Sequence, residues 1–123
     1  MASMSVSLRN VPGTRAAMGW AGGHTLVIDR PEGRAGGMGL GFNGGQMIGL
    51  AIGGCFCNDL RDVADAMGVE LETIEVDVAI ELEGKPLLVT AATMRVQATA
   101  GEGVDVAEVI RRAQADSTVS NSV

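Results

Sequence analysis

Residues 46–67 read QMIGLAIGGCFCNDLRDVADAM, and apolar side chains recur along them at the spacing of one helix face. That face carries Phe56, Leu60, Val63, Ala64 and Met67. Gly68 follows directly, and glycine is a common helix stop because it accepts a left-handed backbone. The part of the segment before Asn58 is apolar almost all round, which predicts a helix that begins in a buried position.

Glycines recur every four residues at the start of this helix, at Gly45, Gly49 and Gly53. Each interior glycine costs about 1 kcal/mol relative to alanine, so a compensating interaction is expected. Small residues at this spacing let another segment approach the helix closely. We therefore predict that the helix packs tightly on a partner, with a merely flexible helix start as the alternative.

Alternating sequence follows the helix and predicts a long antiparallel hairpin. Residues 74–83 alternate apolar with mostly acidic side chains, as in a strand with one face in the core and one in solvent. A turn at residues 83–86 leads to a returning strand at residues 88–98, and Gly101 follows that strand.

Shorter elements are predicted at both ends of the chain. Three strands are expected at residues 5–11, 14–19 and 24–29, with a turn at residues 20–23 and a glycine-rich loop at residues 30–45. Near the other end, Asp105 and Glu108 resemble a capping box. The apolar face of a second helix follows, with Val106, Val109, Ile110 and Ala113. The tail after Asp116 is polar.

This order of elements predicts an α+β fold, with helices packed on antiparallel sheet, in one domain over residues 1–123. A helix that is apolar all round is difficult to cover with so small a sheet. We therefore expect a homodimer, in which a second chain covers the helix.

Composition and charge argue against several functional classes. The net charge is −6 over 123 residues, and an acidic chain without a lysine and arginine stripe is unsuited to nucleic acid. The longest apolar run, residues 47–57, is shorter than the about 20 residues that span a bilayer, and we expect no membrane partner. The two cysteines lie two positions apart, which is no disulfide framework. We expect free thiols and a cytoplasmic location.

Two cysteines and one histidine are the candidates for chemistry. Cys55 and Cys57 would face different directions on a helix, so a mutual disulfide is not expected, and buried free cysteine is often inert. Asp59, four residues after Cys55, disfavours a thiolate there, whereas Arg61, four residues after Cys57, favours one. Together with the two cysteines, His24 forms only a weak set of possible metal ligands, so no metal site is predicted. No phosphate-loop or dinucleotide motif is present, and no cofactor is predicted.

Two further stretches carry a resemblance to a known family. Residues 36–55 read GGMGLGFNGGQMIGLAIGGC, a glycine-rich loop that leads into an apolar helix ending in cysteine, and residues 117–122 read STVSNS. They resemble the two signatures of the OsmC/Ohr family, the osmotically inducible and organic hydroperoxide resistance proteins. The resemblance covers nearly the whole chain. It implies an OsmC-like fold, with antiparallel sheets packed on a central buried helix in an intertwined homodimer.

The resemblance also implies roles for individual residues. In that family a peroxidatic cysteine attacks the peroxide oxygen, a resolving cysteine forms a disulfide with it, and an arginine and a glutamate support the thiolate. Cys55 takes the peroxidatic position, and Arg15 fits the arginine by counting back from the loop. The glutamate position falls at Gly45 or Gln46, neither of which ionises. Ser117 stands at the resolving position, where a serine cannot form a disulfide.

Three functions follow from this resemblance and its departures. The first is a hydroperoxide reductase in which an organic hydroperoxide oxidises Cys55 to sulfenic acid and an external thiol reduces it. Cys57 would replace the resolving cysteine only if the helix distorts. The second is a catalytically inactive member that binds a small hydrophobic ligand at the dimer interface. The third is a purely structural dimer, so the residues alone leave open whether the chain is an enzyme.

Overall fold

A computed structural model describes residues 2–122, and that part of the chain contains five strands and three helices. The elements are β1 (Ser7–Asn10), β2 (Ala17–Ala21), β3 (His24–Ile28), α1 (Gly44–Ala66), β4 (Leu71–Glu83), β5 (Leu88–Ala100), α2 (Val106–Asp116) and α3 (Thr118–Ser122). The fold is α+β with antiparallel sheets, as the sequence predicts. The chain divides into two compact units between Met47 and Ile48.

The first unit contains a three-stranded antiparallel sheet in the order β1-β2-β3. Its second hairpin is tighter than the sequence predicts, because Trp20 and Ala21 continue β2 and only Gly22 and Gly23 form the turn. Gly22 has a φ of +59°, the left-handed conformation that two-residue hairpin turns require. The predicted four-residue turn at residues 20–23 was therefore too long.

The second unit is built on the predicted long hairpin of β4 and β5. Val76 lies opposite Val96 and Asp77 opposite Arg95, so apolar and polar pairs alternate between the two faces. The inner face packs against a core supplied by both long helices. The buried members of that core are Phe56, Leu60, Val63, Ala64, Leu71, Val109 and Ala113. The helix faces predicted from the periodicity of the sequence are thus confirmed, except that Val106 is not part of this core.

Gly49 and Gly53 of α1 make the close approach that their spacing predicts, and their partner is a strand of the same chain. A Cβ on Gly53 would lie 3.0 Å from Val78 Cγ2, and one on Gly49 would lie 3.6 Å from Ile80 Cγ1. The absence of side chains at these positions lets β4 lie directly against the helix. This contact explains why the sequence tolerates glycine inside a helix.

Two features of the helices add to the sequence predictions. Leu50 is 50% exposed in the single chain, and Ala51 and Gly54 are also exposed, so the start of α1 is not buried on every side. The polar tail forms the short helix α3. No helix among residues 2–122 is both long and apolar enough to cross a membrane.

Candidate functional site

Cys55 lies at the middle of α1 and is partly exposed. Its Sγ donates a hydrogen bond to Asp59 Oδ2 at 3.6 Å. Residues four apart share a helix face, and side chains lean toward the N-terminus, so Asp59 reaches back over Cys55. Phe56 is buried while Gly54 is exposed, which places Cys55 at the margin between the packed and the open faces of the helix.

Cys57 is also partly exposed and free, but it faces a different direction from Cys55. Two positions along an α-helix turn the side chain by about 200°, which keeps the two sulfur atoms on opposite flanks. The Arg61 guanidinium, expected to support a Cys57 thiolate, instead donates from Nη1 to the Leu71 carbonyl at 2.9 Å. Arg61 therefore ties α1 to the first residue of β4.

Gln46, predicted at the position of the family carboxylate, has a structural task at the start of α1. Asn43 Oδ1 accepts a hydrogen bond from the Gln46 N–H, and Gln46 Oε1 accepts one from the Asn43 N–H, both at 2.9 Å. This reciprocal pair is a capping box. The spacing Asn-x-x-Gln was the sequence signal for it. A role for Gln46 toward a substrate stays a prediction.

Arg15 belongs to the first unit, in the exposed bend between β1 and β2. Its carbonyl oxygen accepts a hydrogen bond from Arg30 Nη2 at 2.9 Å. Its side chain crosses Gly36, where a Cβ would lie 2.6 Å from Arg15 Cδ. The flexible Arg15 side chain could move aside for a methyl group, so the φ of +79° is the stronger reason for glycine at position 36. The association of Arg15 with the Cys55 thiol stays a prediction from the resemblance.

Asp29 organises the glycine-rich loop, a role that the sequence did not single out. This buried carboxylate accepts hydrogen bonds from the N–H groups of Arg30 at 2.7 Å and of Met38 and Leu40, both at 3.1 Å. The Leu40 N–H, then those of Met38 and Arg30 and the Arg30 charge, lower the Asp29 pKa against the opposing effect of burial. An aspartate between a strand and a glycine-rich run was the available signal.

Ser117, predicted at the resolving position, is buried between α2 and α3. Its hydroxyl donates to Ser120 Oγ at 3.2 Å, and its carbonyl oxygen accepts from Asn121 Nδ2 at 2.6 Å. Ser117 thus ends α2 and starts the short helix that follows. Its predicted place in the site is not tested by these contacts.

An apolar cavity of about 550 Å³ lies in the second unit, beside the helix turns that precede Cys55. Ile48 and Ile52 of α1, Val78 of β4 and residues 89–94 of β5 form most of its wall. Ser120 contributes a hydroxyl group at the margin. A cavity of this size and composition suits a small hydrophobic molecule.

The remaining candidates do not assemble into a metal site. Within the described residues 2–122, no group of three or more His, Cys, Asp or Glu side chains is placed to hold a metal ion. His24 begins β3, where it is exposed and pairs with Ala21.

Solved structures with this fold include proteins of the OsmC and organic hydroperoxide resistance type. An OsmC-like protein of unknown function from Vibrio cholerae aligns with a TM-score of 0.83 at 13% identity, over 100% of this chain and 94% of that chain. The organic hydroperoxide resistance protein OsmC from Legionella pneumophila has a TM-score of 0.67 at 19% identity, over 99% and 89%. OhrB of Bacillus subtilis has a TM-score of 0.65 at 21% identity, over 98% and 89%. At such identities the likeness concerns the fold alone.

The sequence itself carries the family assignment. No curated protein matches it. The model of the OsmC-like protein family matches residues 36–123, more than half of the chain, and this range includes Cys55 and Ser117. The end of the glycine-rich loop, from residue 36, and all of α1, the hairpin and α2 lie within the match. The chain therefore belongs to the OsmC-like protein family.

Proposed function

We propose that this protein is a thiol-dependent hydroperoxide reductase that works through Cys55. The supporting observation is the partly exposed Cys55 thiol, which donates a hydrogen bond to Asp59 and to which the resemblance assigns the peroxidatic role. Two structural neighbours, from Legionella pneumophila and Bacillus subtilis, are described as organic hydroperoxide resistance proteins. Reactive cysteines need such partial exposure, because a sealed thiol cannot meet a substrate.

The proposed reaction proceeds in two balanced steps. The Cys55 sulfur attacks the terminal peroxide oxygen, the O–O bond breaks, and the products are a sulfenic acid and an alcohol. Two equivalents of an external thiol then reduce the sulfenic acid, releasing water and a disulfide of the external thiol. The second step needs an outside reductant because Ser117 holds no sulfur and Cys57 lies on another flank of α1. Such a reductant fits a cytoplasmic location.

We propose further that the protein works as a homodimer. The open face of α1 carries Leu50, Ala51 and Gly54, an apolar surface beside Cys55 that a second copy would cover. The charges of the two units support this. Residues 1–47 contain four basic and two acidic residues, a net charge of +2, whereas residues 48–123 contain five basic and thirteen acidic residues, a net charge of −8. Two copies attract each other when the basic unit of one lies against the acidic unit of the other.

Oxidation of single-cysteine variants tests the reductase proposal. The variant C57S leaves Cys55 as the only thiol, and C55S is its matched control. With cumene hydroperoxide and dimedone, we expect mass spectrometry to find the sulfenic acid adduct in C57S and none in C55S. A Cys55 that stays reduced under millimolar hydroperoxide would contradict the proposal.

A helix-surface variant tests the dimer. Leu50→Glu places a charge on the apolar face, while Ala66→Glu introduces the same charge at an exposed position on another side of α1, at its far end. Sedimentation at micromolar concentration should give dimers for the wild type and A66E and monomers for L50E. A monomeric wild type, or a dimeric L50E, would refute this arrangement.

A second candidate function rests on the apolar cavity of about 550 Å³, which suits a small hydrophobic ligand. Ala92→Phe would fill this space, whereas Ala107→Phe adds the same bulk at an exposed position of α2. Native mass spectrometry of freshly purified protein should find a bound ligand in the wild type and A107F and not in A92F. Ligand-free wild type, with thermal shifts that stay flat across a lipid panel, would remove this candidate.

A further inference from the structure

Asp59 supplies Cys55 with a neighbouring carboxylate, although this chain has none at the position of the family glutamate. The residues at that position, Gly45 and Gln46, have no ionisable group. Asp59 is partly exposed, and its Oδ2 receives the Cys55 thiol hydrogen bond at 3.6 Å, a normal length for the larger sulfur atom. Within residues 2–122, Asp59 forms no salt bridge, so its charge is not neutralised by a described arginine or lysine.

We propose that Asp59 is the proton relay of the Cys55 reaction, an inference that rests on the proposed reductase function. In the resting protein the thiol proton points at Asp59. When the sulfur attacks a hydroperoxide, the proton passes to the Asp59 carboxylate as the S–O bond forms. The O–O bond breaks, and Asp59 returns the proton to the leaving alkoxide. One thiol and one hydroperoxide thus give one sulfenic acid and one alcohol.

The relay makes a prediction that a purely structural role would not. The alkoxide that leaves a hydroperoxide is strongly basic and needs a proton, whereas the iodide that leaves iodoacetamide does not. Loss of Asp59 should therefore slow the oxidation of Cys55 far more than its alkylation.

The test uses Asp59→Asn in the C57S protein, where Cys55 is the only thiol. Asparagine has nearly the same shape, and Asp62→Asn is the control because Asp62 is exposed on the same helix and its change removes the same charge. We expect D59N to keep the iodoacetamide rate within about 3-fold of the rate of the C57S protein, because alkylation needs no proton returned to its leaving group. We expect it to lower the rate of sulfenic acid formation with cumene hydroperoxide by about 100-fold. D62N should leave both rates unchanged.

Each other result overturns the relay. If both rates fall together in D59N, Asp59 is a structural residue; if both rise, it only restrains the thiol. Asp59→Glu keeps a carboxylate and should retain oxidation within about 10-fold, which guards against a D59N protein that fails to fold. A wild-type Cys55 that is alkylated but never oxidised would overturn the reductase function and the relay together. If wild-type Cys55 is oxidised normally, but the oxidation and alkylation rates of D59N change in the same direction, the relay alone is overturned.

Discussion

The glycine-rich loop of the first unit and the helix-hairpin core of the second are stabilised in different ways. In the loop, one buried carboxylate, Asp29, gathers three backbone N–H groups, and Gly41 lies against the Val27 carbonyl. In the core, apolar side chains such as Phe56 and Leu60 are removed fully from water. The loop is therefore stabilised by hydrogen bonds to a charged group and by close backbone contacts at glycine, while the core is stabilised by tightly packed apolar side chains.

The largest effect is expected in the core, and the two phenylalanines of the chain allow a matched test. Phe56 is fully buried, whereas Phe42 in the loop is 41% exposed. Phe56→Ala should lower the free energy of unfolding by about 3–5 kcal/mol, because it leaves a cavity in packed surroundings. Phe42→Ala should cost clearly less in the same chemical denaturation experiment. Equal losses would mean that the loop contributes as much packing as the core.

Glycine substitutions test the loop by adding a single methyl group. A Cβ on Gly41 would clash with the Val27 carbonyl oxygen, while one on Gly44 would meet no atom within 4 Å. Gly41→Ala should lower the free energy of unfolding by about 1–3 kcal/mol or more, as expected for overpacking against backbone. Gly44→Ala should leave stability unchanged or raise it. A G41A protein as stable as G44A would contradict this account of the loop.

The dependence of stability on pH should separate the loop from the core. Hydrogen bonds to Asp29 lower its pKa in the folded protein, led by the Leu40 N–H. Its contribution to stability is therefore complete above the unfolded pKa and is lost as the pH falls through the folded pKa. Asp29→Asn should lower the Tm at pH 7 and flatten the acid-side decline of the Tm between pH 5 and pH 3. Glu32→Gln, at an exposed position of the same loop, is the control; matching pH profiles for D29N and the wild type would refute the proposed role.

The smallest effect is expected at an ion pair on the surface of α2. Hydrogen bonds from Arg111 and then Arg112 lower the pKa of Glu108 to about 2, from a usual value of 4.5. The stabilisation by the pair is thus complete above about pH 4.5 and disappears as the pH falls toward 2. Glu108→Gln should lower the Tm slightly at pH 7, and added salt should shrink the difference between the variants. A salt-independent loss of Tm would indicate a contribution from packing instead.

The sequence predicted the core of the second unit well because its signals are local. The helical spacing of Phe56 and Leu60, and the alternation along β4, each follow from which side chains face inward within a few residues. The Asp105 cap is local too and was confirmed, since its side chain accepts from the Glu108 N–H at 3.1 Å. The return bond of a full capping box is missing because the Glu108 carboxylate instead binds two arginines.

The candidate site was predictable only in part. The resemblance pointed to Cys55, and the four-residue spacing already set Asp59 beside it. Gln46 and Ser117 come from the resemblance; Gln46 forms a capping box with Asn43, the Ser117 hydroxyl contacts the Ser120 hydroxyl, and their roles in a site stay predictions. Asp29 went unnoticed because two of its donors, Met38 and Leu40, lie nine and eleven residues away in an irregular loop with no repeating pattern.

The amino-acid sequence alone determined the family, the apolar faces of α1 and α2, the long hairpin and the neighbourhood of Cys55 and Asp59. Each of these depends on residue spacing within one helix or strand, where backbone geometry is regular. Only the tertiary structure decided that Gly53 lies against Val78, that Asp29 holds the loop and that Ser117 is buried. Those contacts join residues without a fixed spacing, so they emerge from packing and from the demand that buried polar groups find partners.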